Sequence, residues 1–580
     1  MFHVKNHKQP YIFDPFGHLG DKRRDLLDKS WAGLFRQEIL PVLPVDALRK
    51  HYHDCQGRLS KELYSMIGLM ILQQMHDLTD EEAVEQFAFN IKWHYALNIT
   101  SNSDQYSYVS LKSLWTMRNI LTSEGLYHTL FDAVTGKLAE VFKVDFAKQR
   151  MDSVHIRSNM RHLGRISLFA KTIKKFLANL KRHHRSLFDQ LDSTLTARYL
   201  NKKEEAIFSI VKPSESAKTL DQLAQDVFLL VERFNPVEMV NSMSSFKLLV
   251  RLFEEQCMIE EEAESGQKLA AAKPNKDVAS DSLQNPSDPD AGYSGHKGKG
   301  YHVQVAETYS PEPDKDNLSL ITYIEVESAD KNDANALLPA LAETARKEMA
   351  PSEILADSLY GSDDNVTKAE QEHGVKVIAP TMGTANHKGL SLADFTLQEQ
   401  GKIISCPQGC TPETVKHKKG SYSAVFQPAD CHNCPRREEC PAKKGKKAFY
   451  VRYKEKDLRL ARRRQHEQSP EFGEKYRFRA GVEATMSEYD RRTGVKRLRV
   501  RGLKAVTFAA VLKALGLNLF RAAAFQKRKN SGSKPFAPAG RAIFDVIGYF
   551  KEQTVLLVSL FVTLWASGEA HDNFGHQMAY

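Results

Sequence analysis

The sequence predicts an α/β core preceded by an all-α domain and interrupted twice, once by helices and once by a small cysteine-rich module. Three observations predict it. Apolar residues between Ser30 and Leu121 recur at helical spacing. Strand-like segments alternate with helical ones between Tyr301 and Met382. Five of the seven cysteines lie between Cys406 and Cys440. At 580 residues the chain exceeds what one core supports, and its formal net charge of +10 favours a polyanionic partner, nucleic acid first among them. Clustered cysteines point to a metal in a reducing compartment rather than to a disulfide framework. The N-terminus lacks an uninterrupted apolar stretch, and the run Val555–Trp565 is too short to span a bilayer. A cytoplasmic protein without membrane contact is expected.

In chain order, Leu63, Met66, Leu69, Leu72 and Met75 share one helical face. Thr79 and Glu82 have the spacing of a capping box ahead of a helix carrying Val84, Phe87 and Ile91. Trp93 and Trp115 add bulk for a helical core. This N-terminal domain, residues 1–135, has basic ends that suit DNA, although helices this generic serve many purposes. Near Val144–Ile156 the pattern turns to a short strand holding Asp152. A buried Asp there needs a counter-charge or a metal; otherwise it caps a turn with Ser153. His155 reads as structural. From 157 to 267 the pattern is helical again, with Ile166, Phe169, Ile173, Phe176 and Leu180 on one stripe and Val227, Leu230, Val231 and Phe234 on another. Residues 268–289, rich in Ala, Ser, Asp, Asn and Pro, read as a flexible linker, so that 157–292 forms a helical insertion with its hinge.

Gly295, Gly298 and Gly300, interleaved with Lys297 and Lys299, make a loop able to approach phosphates, without the spacing of a nucleotide P-loop. Strands are expected at 301–307, 318–328, 352–356 and 375–382, with a helix at 332–348; the third strand runs into Asp357. CPQGC at 406–410 and CHNCPRREEC at 431–440 read as a zinc signature within a module over 400–450. Cys431, Cys434 and Cys440 are three ligands of a structural Zn²⁺, with Cys406 preferred to Cys410 as the fourth; buried free thiols are the alternative. Phe508, Leu512, Leu515 and Leu519 mark an amphipathic helix that closes the core, and a basic linker and apolar tail occupy 526–580.

The stretch Lys475–Gly502 carries the chemistry. At helical spacing Tyr476, Arg479, Glu483 and Asp490 fall within about a sixth of a turn of one another. Glu483 beside Arg479, followed by Lys496, Arg497, Arg499 and Arg501, joins a metal-ligating carboxylate to cations suited to phosphate, as phosphoryl transfer requires. A solvated helix with ordinary ion pairs reads the same way.

Asp152, Asp357 and Glu483 stand in the order D, D, E, and with them the sequence resembles the DDE transposases of bacterial insertion sequences. More narrowly it is similar to the group with a helical N-terminal domain and a Tyr-x2-Arg-x3-Glu-x6-Lys signature. Tyr476, Arg479 and Glu483 match that spacing, while Asp490 stands where the group has Lys. The texts DPDAGYSGHKGKGYHVQVAET, ADSLYG and CHNCPRREEC are also similar to what the group carries, and the resemblance covers about residues 30–525. It implies a ribonuclease H-like catalytic domain over 136–525, with Asp152, Asp357 and Glu483 as catalytic ligands of two Mg²⁺ (or Mn²⁺). It also implies that the enzyme nicks transposon ends and joins them to target DNA. Tyr476 and Arg479 would touch the strand. At Asp490, about 10 Å along the helix from Glu483, a nearby cation, Arg491 or Lys496, would replace the missing Lys; Lys297 and Lys299 would add backbone contacts. Partners are double-stranded DNA, as terminal inverted repeats and target, and a second copy of the chain, at the nucleoid. A decayed DNA-binding protein and a nuclease that does not join are the other readings.

Overall fold

The computed structural model describes residues 1–9, 14–54, 56–160, 162–201, 208, 211–261, 268–312, 317–383 and 389–531. Residues 1–312 and 317–523 form one compact unit; of a second, comprising 313–316 and 524–580, only 524–531 are described. Cys55, residues 262–264 of the acidic run and the apolar tail lie outside the described residues.

The N-terminal segment is helical as expected, centred on α1 (Leu63–Met75). Every residue of α1 except Tyr64 and Gln74 is buried, so it is a central helix rather than an amphipathic one with a single apolar face. Its Glu62 cap accepts from the amides of Tyr64 and Ser65. The predicted capping box opens α2 (Asp80–Phe89): Thr79 and Glu82 exchange hydrogen bonds of 2.7 and 3.2 Å. Two further helices follow, α3 (Leu111–Ser123) and α4 (Leu126–Phe142). Trp93 is buried, but Trp115 is 58% exposed on α3 and contributes nothing to the core expected of it.

The strand with Asp152, β1 (Lys148–Arg157), is ten residues long rather than short. The chain then leaves the sheet for the insertion. Helices α5 (Arg165–His183), α6 (Ser216–Phe234) and α7 (Ser244–Gln256) pack Phe169, Ile173, Phe176, Val227, Phe234 and Phe246 into a core of their own. The insertion ends in an antiparallel hairpin, β2 (Cys257–Glu261) with β3 (Lys268–Ala272), where helix and then linker are expected. Nor is the rest of the linker loose. Leu283 and Asp288 are buried, and the Asp288 carboxylate accepts from the Tyr301 hydroxyl (2.6 Å) and the Gly502 amide (3.0 Å). Ser282 and Asn285 are buried as well, while Asn275–Asp277, Ser280, Asp281 and Ser287 face water. Arg165 closes the base of the insertion, donating to the Lys273 carbonyl (2.8 Å) and the Asn275 side chain (2.7 Å).

The sheet resumes with β4 (Gly292–Ser294), β5 (Gly298–Thr308) and β6 (Ile321–Ser328). After α8 (Leu337–Arg346) come β7 (Glu353–Leu355), α9 (Asp363–His373) and β8 (Lys376–Ile378). Strands pair in the order β4-β5-β1-β7-β8, with β6 also on β5; β5 is antiparallel to β1, and β7 and β8 are parallel additions. Met151, Ile354, Tyr360 and Ala306 pack under α8. The cysteine region is a separate small sheet, β11 (Thr414–Lys418), β12 (Ser421–Phe426), β13 (Lys443–Lys444) and β14 (Phe449–Lys454), in the order 11-12-14-13. A two-stranded ribbon, β9 (Thr396–Leu397) with β10 (Ile403–Ser405), precedes it.

The C-terminal helices are α10 (Glu455–Glu467), α11 (Pro470–Tyr476), α12 (Gly481–Thr493) and α13 (Leu503–Ser531). Helix α13 is long and apolar enough to cross a membrane, yet 78% of its apolar window is buried in the protein. Gln526–Ser531, expected as loop, continue this helix. At Gly516 an added Cβ would come within 2.8 Å of the Met75 backbone, so glycine permits α13 to lie against α1. Asn518 brackets the edge of β6, accepting from the Ile321 amide (2.8 Å) and donating to its carbonyl (2.9 Å).

Between β5 and these helices lies a fully buried carboxylate. Glu307 accepts from Arg150 Nε (2.7 Å), Arg521 Nη1 (2.8 Å) and the Thr485 hydroxyl (2.8 Å). Removing one side of such a cluster leaves charge without compensation. Glu307→Leu should therefore cost about 3–5 kcal/mol, read as a lower midpoint in chemical unfolding, whereas an unchanged midpoint would show that the cluster is energetically idle.

Candidate active site

The last paired row of β1 and β7 is Arg150 with Leu355, so Asp152 and Asp357 each lie two residues further along neighbouring parallel strands. Asp152 accepts from the Ser153 amide (2.8 Å) and from Arg479 Nη2 (2.8 Å). Of the alternatives posed by the sequence, the counter-charge is present, whereas Asp152 and Ser153 both lie within β1 and cap no turn. Burial raises the Asp152 carboxyl above its usual range, Arg479 opposes this, and the nearby Asp357 adds to it. Asp357 itself accepts from the Leu359 amide at 2.8 Å.

The helix expected to carry Tyr476, Arg479, Glu483 and Asp490 on one face is not continuous. Helix α11 ends at Tyr476, a 3₁₀ turn spans Arg477–Ala480, and α12 begins at Gly481. The reason lies in Arg150, whose Nη1 binds the Phe478 carbonyl at 2.9 Å. A Cβ on Gly481 would stand 2.0 Å from the same guanidinium, so a side chain there would displace Arg150 from its place. The break still delivers Arg479 to the carboxylates: Nη2 meets Asp152 and Nη1 meets Glu483 Oε1 at 2.9 Å. Glu483 is 68% exposed in its side chain, against 16% for Asp152. Tyr476 is half-buried, stacked on Phe472 at 5.3 Å and packed with Phe478 against Leu355 and Ile378. Burial raises its hydroxyl, and Asp357 and Asp152 add to that, which places the ring beside both acids.

Other expected residues are distributed around this centre. Lys297 reaches Ser153 Oγ (3.3 Å) and stands 3.8 Å from Asp333. Lys299 donates to the Leu163 carbonyl (3.1 Å). Both line a cavity of about 260 Å³ shared with Arg157 and His162. Their glycine loop is a hairpin turn between β4 and β5, and Gly300 is needed for packing rather than for phosphate. At φ +153° it lies 2.0 Å, measured from an added Cβ, from the Ile156 carbonyl. Asp490 accepts from the Lys496 amide (3.0 Å) and its carboxylate lies 4.0 Å from Lys496 Nζ, while Arg491 is exposed. Of the cations after Gly494, Arg499 is taken up by Asp77 at 3.0 Å.

Sequence reasoning missed the groups beneath Asp152. Asp333 accepts from Ser153 Oγ (2.9 Å) and Gln304 Nε2 (2.7 Å), and Gln304 accepts from the Tyr360 hydroxyl (2.6 Å). A Gln inside the apolar strand text YHVQVAE was the available signal. Among the described residues neither ring nitrogen of His155 has a hydrogen-bond partner, and its ring meets His302 edge-on at 5.5 Å; burial lowers its pKa to about 4.

All five clustered cysteines line one small cavity with Phe395, Phe426, Asp430, Arg437 and Ala442. Cys406 and Cys410 close a tight turn, the Cys406 amide donating to the Cys410 carbonyl at 2.9 Å. Among the described residues no three side chains of His, Cys, Asp or Glu stand close enough as placed to hold a metal ion, here or at Asp152. The expected zinc module is therefore present as a cysteine-lined cavity and not as a formed tetrahedral site.

Asp152 thus lies within β1, Asp357 two residues past the end of β7, and Glu483 on α12. Residues 405–523 match the family described as Transposase DDE domain, and residues 24–119 match Transposase domain (DUF772). These two matches support an insertion-sequence DDE transposase, and the first of them implies a ribonuclease H-like core. No curated protein matches the chain.

The Asp333 cluster makes a pH prediction. Burial alone would raise this carboxyl, but His302, Gln304 and Lys297 outweigh it and bring the pKa to about 2. Ionised Asp333 thus stabilises the fold above its unfolded value of 3.8, and that contribution is lost as pH falls through about 2. Asp333→Asn should cost on the order of 2 kcal/mol at neutral pH and flatten the acid limb of the stability profile in urea unfolding. An acid limb parallel to that of the unsubstituted protein would remove Asp333 as its source.

Proposed function

We propose that the protein cuts the ends of an insertion sequence and joins them to target DNA at a site built from Asp152, Asp357 and Glu483. The observation that carries this reading is the register of β1 and β7, which sets Asp152 and Asp357 side by side, with α12 leaning Glu483 toward them through Arg479. Three carboxylates are a hard oxygen donor set that fits Mg²⁺ or Mn²⁺. When bound, such ions supply Lewis-acid activation of the attacking hydroxyl and stabilisation of the leaving 3′-oxygen.

The chain's own groups do the rest. Arg479 holds a phosphate beside the scissile bond with the fork geometry suited to it. Tyr476 borders the strand beside both acids, and its packing on Phe472 fixes the ring. Lys297, Lys299, Lys496 and Arg491 contact the backbone, and residues 1–135 read DNA as a helical domain ahead of a catalytic domain over 136–525. Asp490 caps the turn after α12 and takes no part in chemistry, since its carboxylate is held by the Lys496 amide. Cutting two ends and joining both calls for two active sites, hence a homodimer on DNA at the bacterial nucleoid. The five thiols around one cavity are a soft donor set suited to a structural Zn²⁺ held by Cys406, Cys431, Cys434 and Cys440.

Asp152→Ala, Asp357→Ala and Glu483→Ala should each abolish Mg²⁺-dependent cleavage of end-containing DNA while gel-shift binding persists; full cleavage by any one of them refutes the triad. Joining is scored in the same reaction with a supercoiled target, and cleavage without joining would leave a nuclease. Purified protein should hold about one zinc per chain, and Cys431→Ser should lower thermal stability before it alters cleavage. Metal-free protein with five reactive thiols would overturn that assignment.

A further inference from the structure

We infer that Arg479 is an internal counter-cation: its guanidinium holds Asp152 and Glu483 in place of divalent metal until DNA phosphate draws it away, so that metal and DNA bind cooperatively. This rests on the proposed carboxylate site and concerns how that site is loaded.

The geometry is that of a cation already in possession of two of the three acids. Nη2 lies 2.8 Å from Asp152 Oδ2 and Nη1 lies 2.9 Å from Glu483 Oε1. Asp152 spends its other oxygen on the Ser153 amide. The Asp152 oxygen that Arg479 occupies is the one not engaged by the Ser153 amide. A divalent ion bound there, at about 2.0–2.1 Å for Mg²⁺, would stand against a like-charged guanidinium in a site where the Asp152 side chain is only 16% exposed. The two cations exclude each other by charge and by space. This explains why three acids in sequence order do not form a three-ligand cluster: Glu483 is turned to Arg479 and otherwise faces solvent.

The exchange has a place to happen. Arg479 sits in the 3₁₀ turn between α11 and α12, a weaker hydrogen-bonding segment than the helices it joins. On its N-terminal side the turn is pinned at the Phe478 carbonyl by Arg150, and on its C-terminal side Thr485 is pinned to Glu307. The backbone at both ends is held while the side chain remains the movable part. Among the described residues its Nε is buried without a hydrogen-bond partner, and the fork's two Nη nitrogens are the ones paired with the acids. A strand phosphate offers the same fork geometry that a carboxylate does. Phosphate binding by Arg479 and metal binding by the acids are then linked, and by reciprocity each must strengthen the other to the same degree.

The test measures Mn²⁺ binding to the full chain by electron paramagnetic resonance, without cleavage as a readout. Without DNA, Arg479→Gln should bind Mn²⁺ at least tenfold more tightly than the unsubstituted protein, and Arg479→Lys, which keeps the charge but not the fork, should fall between them. Adding an uncleavable duplex should tighten Mn²⁺ binding to the unsubstituted protein by a larger factor than to Arg479→Gln. Circular dichroism melting of both variants checks that they are folded. Equal or weaker Mn²⁺ binding by both Arg479 variants overturns the inference. Asp152→Asn in the Arg479→Gln background separates this from the reading beneath it: if the double variant binds Mn²⁺ as tightly as Arg479→Gln alone, the carboxylate site itself is wrong.

Discussion

The structure depends on one buried charge. Glu307 has no exposure, and its carboxylate is shared by arginines from the strand that bears Asp152 and from the long C-terminal helix, with Thr485 of α12 as a further donor. Desolvating a carboxylate is expensive, and the cost is met only when every lone pair has a partner in good geometry. That condition links three elements distant in sequence: β1, α12 and α13 must all be in place before any of them is stable there. Because Arg150 lies two residues before Asp152, and Thr485 two after Glu483, the same charge sets the distance between the first and third acids. Thr485, outside the proposed triad, ties α12 to β5 through this carboxylate.

Much of this was legible in the sequence, for reasons that differ by element. The capping box at Thr79, the stripes of α5 and α6 and the strands around Asp152 and Asp357 all express local periodicity, which needs no tertiary information. The failures have tertiary causes. Met75 and its neighbours follow a one-face pattern, but α1 is covered on its other sides as well. Residues 268–289 have the composition of a linker, yet Asp288 among them is a buried acceptor, and composition cannot distinguish that use from solvation.

The chemical centre shows the same division. The order of the three acids and the Tyr-Arg-Glu spacing could be read directly. The break between α11 and α12 could not, since it arises from Arg150, more than three hundred residues earlier, capturing the Phe478 carbonyl. Gly481 is its only local trace. The polar layer of Ser153, Gln304 and Asp333 likewise depends on strand register, which brings Ser153 opposite Gln304 across β1 and β5. Five cysteines in two clusters promise a metal, but their sharing of one cavity is a property of the small sheet that carries them.

The insertion bears on how the chain folds. Strands β1 and β5 are antiparallel neighbours that a two-residue turn could join, yet residues 158–297 intervene between Arg157 and Gly298. Closing so long a connection as flexible chain costs about 4 kcal/mol more than closing a short turn. A folded insertion avoids most of that, because Arg165 at its start is fastened to Lys273 and Asn275 at its end, which brings the two strand termini together in advance. With its own apolar core, the insertion is suited to form first and present β1 and β5 to each other as a hairpin would. The catalytic sheet thus inherits its folding order from a segment that contributes to it only the short strand β4.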